Sequence, residues 1–183
     1  PYHVMGAMQD LGTAWGPSNS LVAEGLRLGH WRSVGGGEAG YVVAEPSDTN
    51  VVYAGEYSGY ISHYDLRSRQ PRNVSAYPEN GSGHGGEDLQ YRFQWTAPIA
   101  TSPNQPNVVY HGANVLFKST DAGQTWTAIS PDLTRNDKTK QRWSGGPITG
   151  DNTGVEIYGT IFTIAESPKE VGLIWVGSDD GLV

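Results

Sequence analysis

The chain has 183 residues, a formal net charge of −7 and no cysteine. The acidic balance argues against a nucleic-acid-binding groove, which needs a basic stripe, and the lack of cysteine excludes disulfides and thiolate metal sites. No apolar run approaches the ~20 residues that span a bilayer, so we expect no transmembrane segment in this stretch.

Residues 1–30 predict the end of one sheet unit followed by an insert. The segment 1–12 has the pattern of a second strand and its turn. The segment 20–29 comes nearest to an amphipathic helix, but Gly25 interrupts it. We therefore interpret 20–29 as an irregular insert between two units.

Residues 31–92 predict a unit of short antiparallel strands, because β-branched and aromatic runs alternate with glycine-rich or polar turns. A turn at 65–71 keeps Asp65 but has no tryptophan. The polar segment 78–90 is a long loop. The strands are predicted at 31–34, 41–45, 50–55 and 60–64.

Residues 93–156 predict a second unit with the same order of elements, and residues 157–183 begin a further unit. Pro103 and Pro106 separate the first two strands of the second unit, since proline cannot donate to a strand ladder. The predicted elements are strands at 99–102, 107–110, 115–118 and 127–129, a turn at 111–114, and a long loop at 131–152.

An internal repeat supports this division. Pro46, Pro103 and Pro168 are each followed at the seventh position by an aromatic residue and at the ninth by glycine. These prolines recur at intervals of about 60 residues, and repeats of this length built from four short strands predict a β-propeller or a β-array. The aromatic and glycine positions are Tyr53, Tyr110, Trp175, Gly55, Gly112 and Gly177.

The most specific motif is the polar turn Ser119-Thr-Asp-Ala-Gly-Gln-Thr-Trp126, which has the pattern of an Asp-box. Asp121 can accept hydrogen bonds from the backbone of its own turn, and Gly123 can adopt a positive φ. Trp126 is large enough to anchor the hairpin between strands. We interpret Asp121 as a turn clamp rather than a catalytic acid. The residues given structural roles are Ser119, Asp121, Gly123, Thr125 and Trp126.

The chain resembles the sortilin-like, BNR-repeat (Asp-box) β-propellers of bacteria, which are often described as glycosyl hydrolase-like. The resemblance implies an exported protein that is secreted, periplasmic or displayed at the cell surface. It rests on the Asp-box and on segments 8–18, 34–40, 61–67, 116–134, 159–168 and 175–181.

The repeats and the resemblance together predict an all-β fold, a partial β-propeller of four-stranded antiparallel blades with one well-formed Asp-box. Three copies of the repeat cannot close a ring, because propellers usually need about four to eight blades. We therefore expect a fragment of a larger ring, with the remaining blades of the same polypeptide as its partners.

The predicted strand order gathers the turns between second and third strands, and the links between units, at one end of the strands. Carboxylates dominate this end, with aromatic and arginine residues between them. The candidate catalytic residues are Asp10, Glu38, Asp179 and Asp180. The candidate ligand-binding residues are Glu38, Glu56, Tyr57, His84, Glu87, Asp88, His111, Arg142 and Trp143.

Two functions fit this pattern. The leading hypothesis is a non-catalytic binding or scaffold module that recognises a peptide or a carbohydrate. The alternative is a glycoside hydrolase, xyloglucanase-like or of another BNR-repeat type, with two carboxylates ~5–9.5 Å apart. A cation site formed by His84, Glu87 and Asp88 has weak support from one histidine in a glycine-rich loop, so we predict no metal and no cofactor.

Overall fold

The computed structural model describes residues 2–38 and 40–183, and within them every regular element longer than three residues is a β-strand. Four short 3-10 turns lie at Leu28–His30, Tyr57–Gly59, Gly86–Asp88 and Lys138–Lys140. The strands are β1 His3–Met8, β2 Gly12–Pro17, β3 Val42–Glu45, β4 Asp48–Glu56, β5 Tyr60–Asp65, β6 Gln70–Asn73, β7 Ile99–Thr101, β8 Val109–Gly112, β9 Leu116–Ser119, β10 Thr127–Ala128, β11 Ile161–Glu166 and β12 Ile174–Ser178.

The strands form four antiparallel sheets in which neighbours in sequence are neighbours in space. Strands β3 to β6 form one four-stranded sheet and β7 to β10 another, flanked by the two-stranded sheets β1–β2 and β11–β12. Among the described residues none of these sheets closes on itself. The predicted all-β class is confirmed, and no helix in residues 2–38 and 40–183 has the length and apolar character to cross a membrane.

Some predicted local elements are wrong. The predicted turn at 65–71 is too long, because Asp65 ends β5 and Gln70 and Pro71 begin β6. The predicted turn at 111–114 begins too early, because His111 and Gly112 continue β8 and pair with Phe117 and Leu116. Gly112 is needed for close packing rather than for a turn, since a Cβ there would lie 2.7 Å from Ile161 Cγ2.

The predicted outer strand at 31–34 is reduced, in the part of the chain that is described, to a single bridge between Trp15 and Arg32. The strand ladder does not continue past Arg32, because the next backbone N–H on that edge bonds to a side chain. The backbone N–H of Val34 donates to Thr13 Oγ1 at 3.0 Å instead of to a strand carbonyl.

The hydrophobic core lies between successive sheets. Val52 packs in a cluster with Val34 and Tyr64 on one face of its sheet, whereas the neighbouring Tyr53 packs with Ile61, Ile99 and Val109 on the other face. Tyr110 in turn packs with Val108, Leu116 and Ile161 against the last sheet. Alternate residues of a strand point to opposite faces, so β4 and β8 each contribute to two clusters.

The first strand of each unit lies next to the first strand of the following unit. Strand β3 contacts β7, and β7 contacts β11. Thr101 Oγ1 donates to the Ala44 carbonyl at 3.2 Å, and Asn104 Nδ2 donates to the Ser167 carbonyl at 2.8 Å. These side-chain bonds join sheets that share no backbone ladder.

The alternating strand direction gives the sheets two chemically distinct ends. We call one end the loop face; it carries the residues that follow β1, β4, β8 and β12, at 9–11, 57–59, 113–115 and 179–182. The opposite end carries the turns at 66–69 and 120–126, and we call it the Asp-box face. Asp65 and Asp121 therefore lie at the end opposite Asp10, Glu56 and Asp179.

Hydrogen bonds hold the Asp-box turn. Asp121 Oδ1 accepts from the Thr125 backbone N–H at 2.8 Å and from Ser119 Oγ at 2.8 Å. Asp121 Oδ2 accepts from Thr125 Oγ1 at 2.7 Å. The hydroxyl and backbone of Thr125 and the Ser119 hydroxyl lower the pKa of Asp121, so the carboxylate stays ionised as a turn acceptor.

The same turn is fixed to the preceding unit. The Trp126 indole N–H donates to the Val74 carbonyl at 2.7 Å. Gly123 has a φ of +85°, and a Cβ at this position would lie 2.9 Å from Val74 Cβ. The turn therefore needs glycine twice, once for its backbone conformation and once for its contact with Val74.

We expect Gly123→Ala to destabilise the protein by about 2–3 kcal/mol, because it adds a steric clash to the backbone strain. Gly172→Ala is the matched control. Gly172 has a φ of +81°, and a Cβ at this position would have no neighbour within 4 Å. That variant should lose only about 1 kcal/mol, the cost of the left-handed conformation. Urea unfolding measures both losses, and equal losses would contradict the role of the Val74 contact.

Candidate functional site

Three predicted carboxylates come together on the loop face over the first units. The Asp10 backbone N–H donates to Glu38 Oε2 at 2.6 Å. The Gly37 N–H donates to the Gly55 carbonyl at 3.0 Å, which brings the link between units against the end of β4 and the Glu56 carboxylate. The structure therefore assembles Asp10, Glu38 and Glu56 from three separate segments.

Glu56 also lines a cleft of about 330 Å³. Tyr60, Arg72 and Asn73 line the same cleft, together with the apolar Ile61 and Pro71. Glu56 Oε1 accepts from the Tyr57 N–H at 3.0 Å, which fixes the carboxylate at the rim. This cleft offers hydrogen-bond donors and acceptors of both charges to a polar ligand.

A second group of predicted residues lies on two loops that pack against each other. The Glu87 N–H donates to the Gln141 carbonyl at 2.9 Å, and the Gly83 N–H donates to the Asn152 carbonyl at 2.8 Å. The candidates on these loops are solvent-exposed, and Trp143 keeps half of its surface accessible: His84, Glu87, Asp88, Arg142 and Trp143.

The alternative of a cation site on these loops gains no support from the geometry. Across residues 2–38 and 40–183, no three His, Asp or Glu side chains are grouped so that they could hold a metal ion. His84, Glu87 and Asp88 are thus neighbours in sequence without forming a ligand set.

Asp179 and Asp180 act in the structure as acceptors that tie loops together. Asp179 Oδ1 accepts from the Thr160 N–H at 2.9 Å, and its Oδ2 accepts from Thr160 Oγ1 at 3.0 Å. Asp180 Oδ2 accepts from the Arg135 N–H at 2.6 Å, and its Oδ1 accepts from Ser178 Oγ. Both carboxylates are therefore committed to turn and loop backbone.

His111 lies in the core rather than on the ligand-accessible surface. Its side chain is 1% exposed and stacks on Phe93 with ring centroids 5.0 Å apart. Nδ1 lies 3.0 Å from the Pro98 carbonyl oxygen and Nε2 lies 3.2 Å from that of Gly59. Burial lowers the pKa of His111 to about 4 and outweighs the two carbonyl contacts, which favour the charged form, so at pH 7 the neutral ring donates to one of these carbonyls. This position removes His111 from the candidate ligand contacts.

A buried ion pair under the loop face involves residues that the sequence motifs do not single out as a pair. Arg92 is 4% exposed, and its Nη2 donates to Asp132 Oδ2 at 2.8 Å. Its Nε donates to the Gly159 carbonyl at 3.0 Å, and Asn114 Nδ2 also donates to Asp132 Oδ2. The one sequence feature that indicates a structural role for Asp132 is the Asp132-Leu-Thr134 pattern, in which Thr134 donates hydrogen bonds back to the Asp132 carboxylate.

The protonation state of Asp132 follows from two opposing effects. Burial disfavours its charged form, but hydrogen bonds from Thr134, Arg92 and Asn114 outweigh burial and lower the pKa. The ionised carboxylate therefore neutralises the buried guanidinium and joins three segments of the chain.

Comparisons with protein-family models, with curated proteins and with solved structures find no significant match to the chain. The resemblance to BNR-repeat propellers therefore stays a prediction from the motifs.

We expect stability to fall between pH 6.5 and pH 4 because of His111. The unfolded state takes up a proton near pH 6.5, whereas the folded state resists protonation until about pH 4. The lowered folded-state pKa means that this contribution is complete above pH 6.5 and is lost as the pH falls. Urea unfolding at a series of pH values should show a loss of about 2–3 kcal/mol over this window.

The control for this pH effect is His111→Gln, which keeps a hydrogen-bonding side chain without a proton to titrate. Its unfolding free energy should vary less with pH than that of the wild type over the same window. Equal slopes in the two proteins would show that other groups, not His111, cause the loss.

We expect Arg92→Met to destabilise the protein by about 2–4 kcal/mol, because it strands a partly buried carboxylate and the Gly159 carbonyl. Arg142→Met removes an exposed arginine from a neighbouring loop and should change stability by less than about 0.5 kcal/mol. Denaturant unfolding of both variants tests the difference, and a small loss for Arg92→Met would refute the stabilising role of this ion pair.

Proposed function

We propose that the chain is part of an exported BNR-repeat β-propeller that binds a peptide or a glycan at its loop face and does not catalyse a reaction there. The four-stranded sheets, the apolar clusters between successive sheets and the hydrogen-bonded Asp-box turn support the propeller architecture. Export and the propeller family rest on the motif resemblance.

The observation that carries the binding hypothesis is that candidate catalytic carboxylates accept hydrogen bonds from backbone N–H groups. Glu38 accepts from the Asp10 backbone, Asp179 from the Thr160 backbone and Asp180 from the Arg135 backbone. A general acid or nucleophile must instead reach the bond that breaks. Carboxylates held by turn N–H groups stabilise loops and leave their remaining lone pairs for ligand hydroxyl or ammonium groups.

The composition of the loop face indicates the class of ligand. Exposed aromatic side chains, Tyr57 at 39% and Trp143 at 50%, offer flat apolar surfaces on the same face as the candidate carboxylates. Aromatic faces favour cations, and carboxylates favour cations and hydroxyl groups. A hydroxyl-rich glycan or a basic peptide fits both features.

One observation favours the glycoside hydrolase alternative. Asp10 and Glu38 come from different segments, and the hydrogen bond from the Asp10 backbone N–H to Glu38 Oε2 makes the two residues neighbours without using the Asp10 carboxylate. Retaining and inverting hydrolases both need two carboxyl groups near the scissile bond. This pair is the one to test for catalysis.

The first experiment screens the protein against immobilised β-glucan and xyloglucan oligosaccharides and against lysine-rich peptides. Glu56→Gln should weaken binding by about tenfold, because it removes a charge-assisted hydrogen bond in the cleft. Glu170→Gln, an exposed substitution in the turn after β11 at the opposite end of the strands, should bind as the wild type does. Equal binding by both variants would refute the site.

The same oligosaccharides distinguish the alternative. The binding hypothesis expects no release of reducing sugar on prolonged incubation. Hydrolysis that disappears in Asp10→Asn or Glu38→Gln, while Glu170→Gln keeps it, would establish the hydrolase instead.

A further inference from the structure

A groove of about 580 Å³ separates the β1–β2 hairpin from the β3–β6 sheet and opens at the Asp-box end of the strands. It is distant in topology from the loop face and shares none of the candidate residues described above. One wall carries Met5, Trp15 and Arg32, and the other carries Thr49, Asn50 and Leu66. The volume lies in the range of small-molecule sites.

Cross-strand packing builds a stacked row on the first wall. The His3 ring lies on the Trp15 indole with centroids 4.0 Å apart and an interplanar angle of 10°. Arg32 pairs with Trp15 on the other edge of β2 through backbone bonds of 2.8 and 3.0 Å, and its guanidinium carbon lies 5.2 Å from the indole centroid. The row holds the Arg32 side chain at the groove by a cation–π contact rather than by an ion pair.

The charges around the groove leave Arg32 uncommitted. Among residues 2–38 and 40–183, no carboxylate forms an ion pair with Arg32. Beside the opposite wall, Asp48 and Asp65 are both held by Arg67 at 2.8 Å. The groove thus presents one free, solvent-exposed guanidinium beside apolar and aromatic side chains, and a guanidinium binds carboxylates in a bidentate manner.

We propose that this groove binds a small carboxylate with a flat apolar or aromatic body. The carboxylate pairs with Arg32, and the body lies between Met5 and Trp15 on one wall and Leu66 on the other. Thr49 and Asn50 offer further hydrogen bonds at the rim. The site is independent of the proposed ligand site on the loop face.

The test uses benzoate as the probe, titrated into the purified protein by isothermal calorimetry. Benzoate should bind saturably with a Kd in the millimolar range, as its size allows. Arg32→Gln should weaken binding by about tenfold, and benzamide, which has the same shape without the charge, should bind the wild type about tenfold more weakly than benzoate.

Arg69→Gln is the matched control, because Arg69 is an exposed arginine in the turn between β5 and β6. It should bind benzoate as the wild type does. Arg32→Lys, which keeps the charge without the planar fork, should give intermediate affinity and remains informative if Arg32→Gln fails to fold. Absence of saturable benzoate binding, equal losses in the Arg32 and Arg69 variants, or equal affinity for benzamide would each overturn the proposal.

Discussion

Strands β4 and β8 bury both of their faces, and the rest of the structure depends on this constraint. Each residue pair such as Val52 and Tyr53 sends one side chain into the cluster before its sheet and the next into the cluster after it. A sheet with two apolar faces is stable only when another sheet covers each face. Burying each large apolar side chain contributes about 1.5–3 kcal/mol, so sheet stacking dominates the stability of the fold.

This stacking leaves the strand ends as the place where polar groups must be satisfied. Turn N–H groups at the loop face find acceptors in carboxylates from the next link, as the Asp10 N–H does in Glu38. At the other end the Asp-box performs the same task within a single turn, where Asp121 accepts from Thr125. These carboxylates accept from turn N–H groups and so fix the turn backbone at the ends of the strands.

The sequence predicted the elements whose causes are local. The proline, aromatic and glycine repeat located β4, β8 and β12, and the Asp-box pattern predicted the hydrogen-bonding role of Asp121. The turn at 111–114 was misplaced because glycine marks both turns and close contacts, and Gly112 serves the second purpose. Distant partners could not be predicted: Arg92 meets Asp132 forty residues later, and no local pattern specifies that pairing. Sequence reasoning could therefore place acidic residues on one face, but it could not say which of them already accept hydrogen bonds from other parts of the chain.

Engagement with the backbone does not oppose ligand binding; it prepares a carboxylate for binding. Glu56 has one oxygen fixed by the Tyr57 N–H, so its orientation is set before a ligand arrives. Arg32 is held in a comparable way by Trp15, through stacking instead of a hydrogen bond. A side chain that is already ordered loses less conformational entropy on binding, which is worth about 0.5–1.5 kcal/mol for each long side chain. The two proposed sites thus share one feature: a neighbouring residue orients a charged side chain and leaves some of its hydrogen-bonding groups free for a ligand.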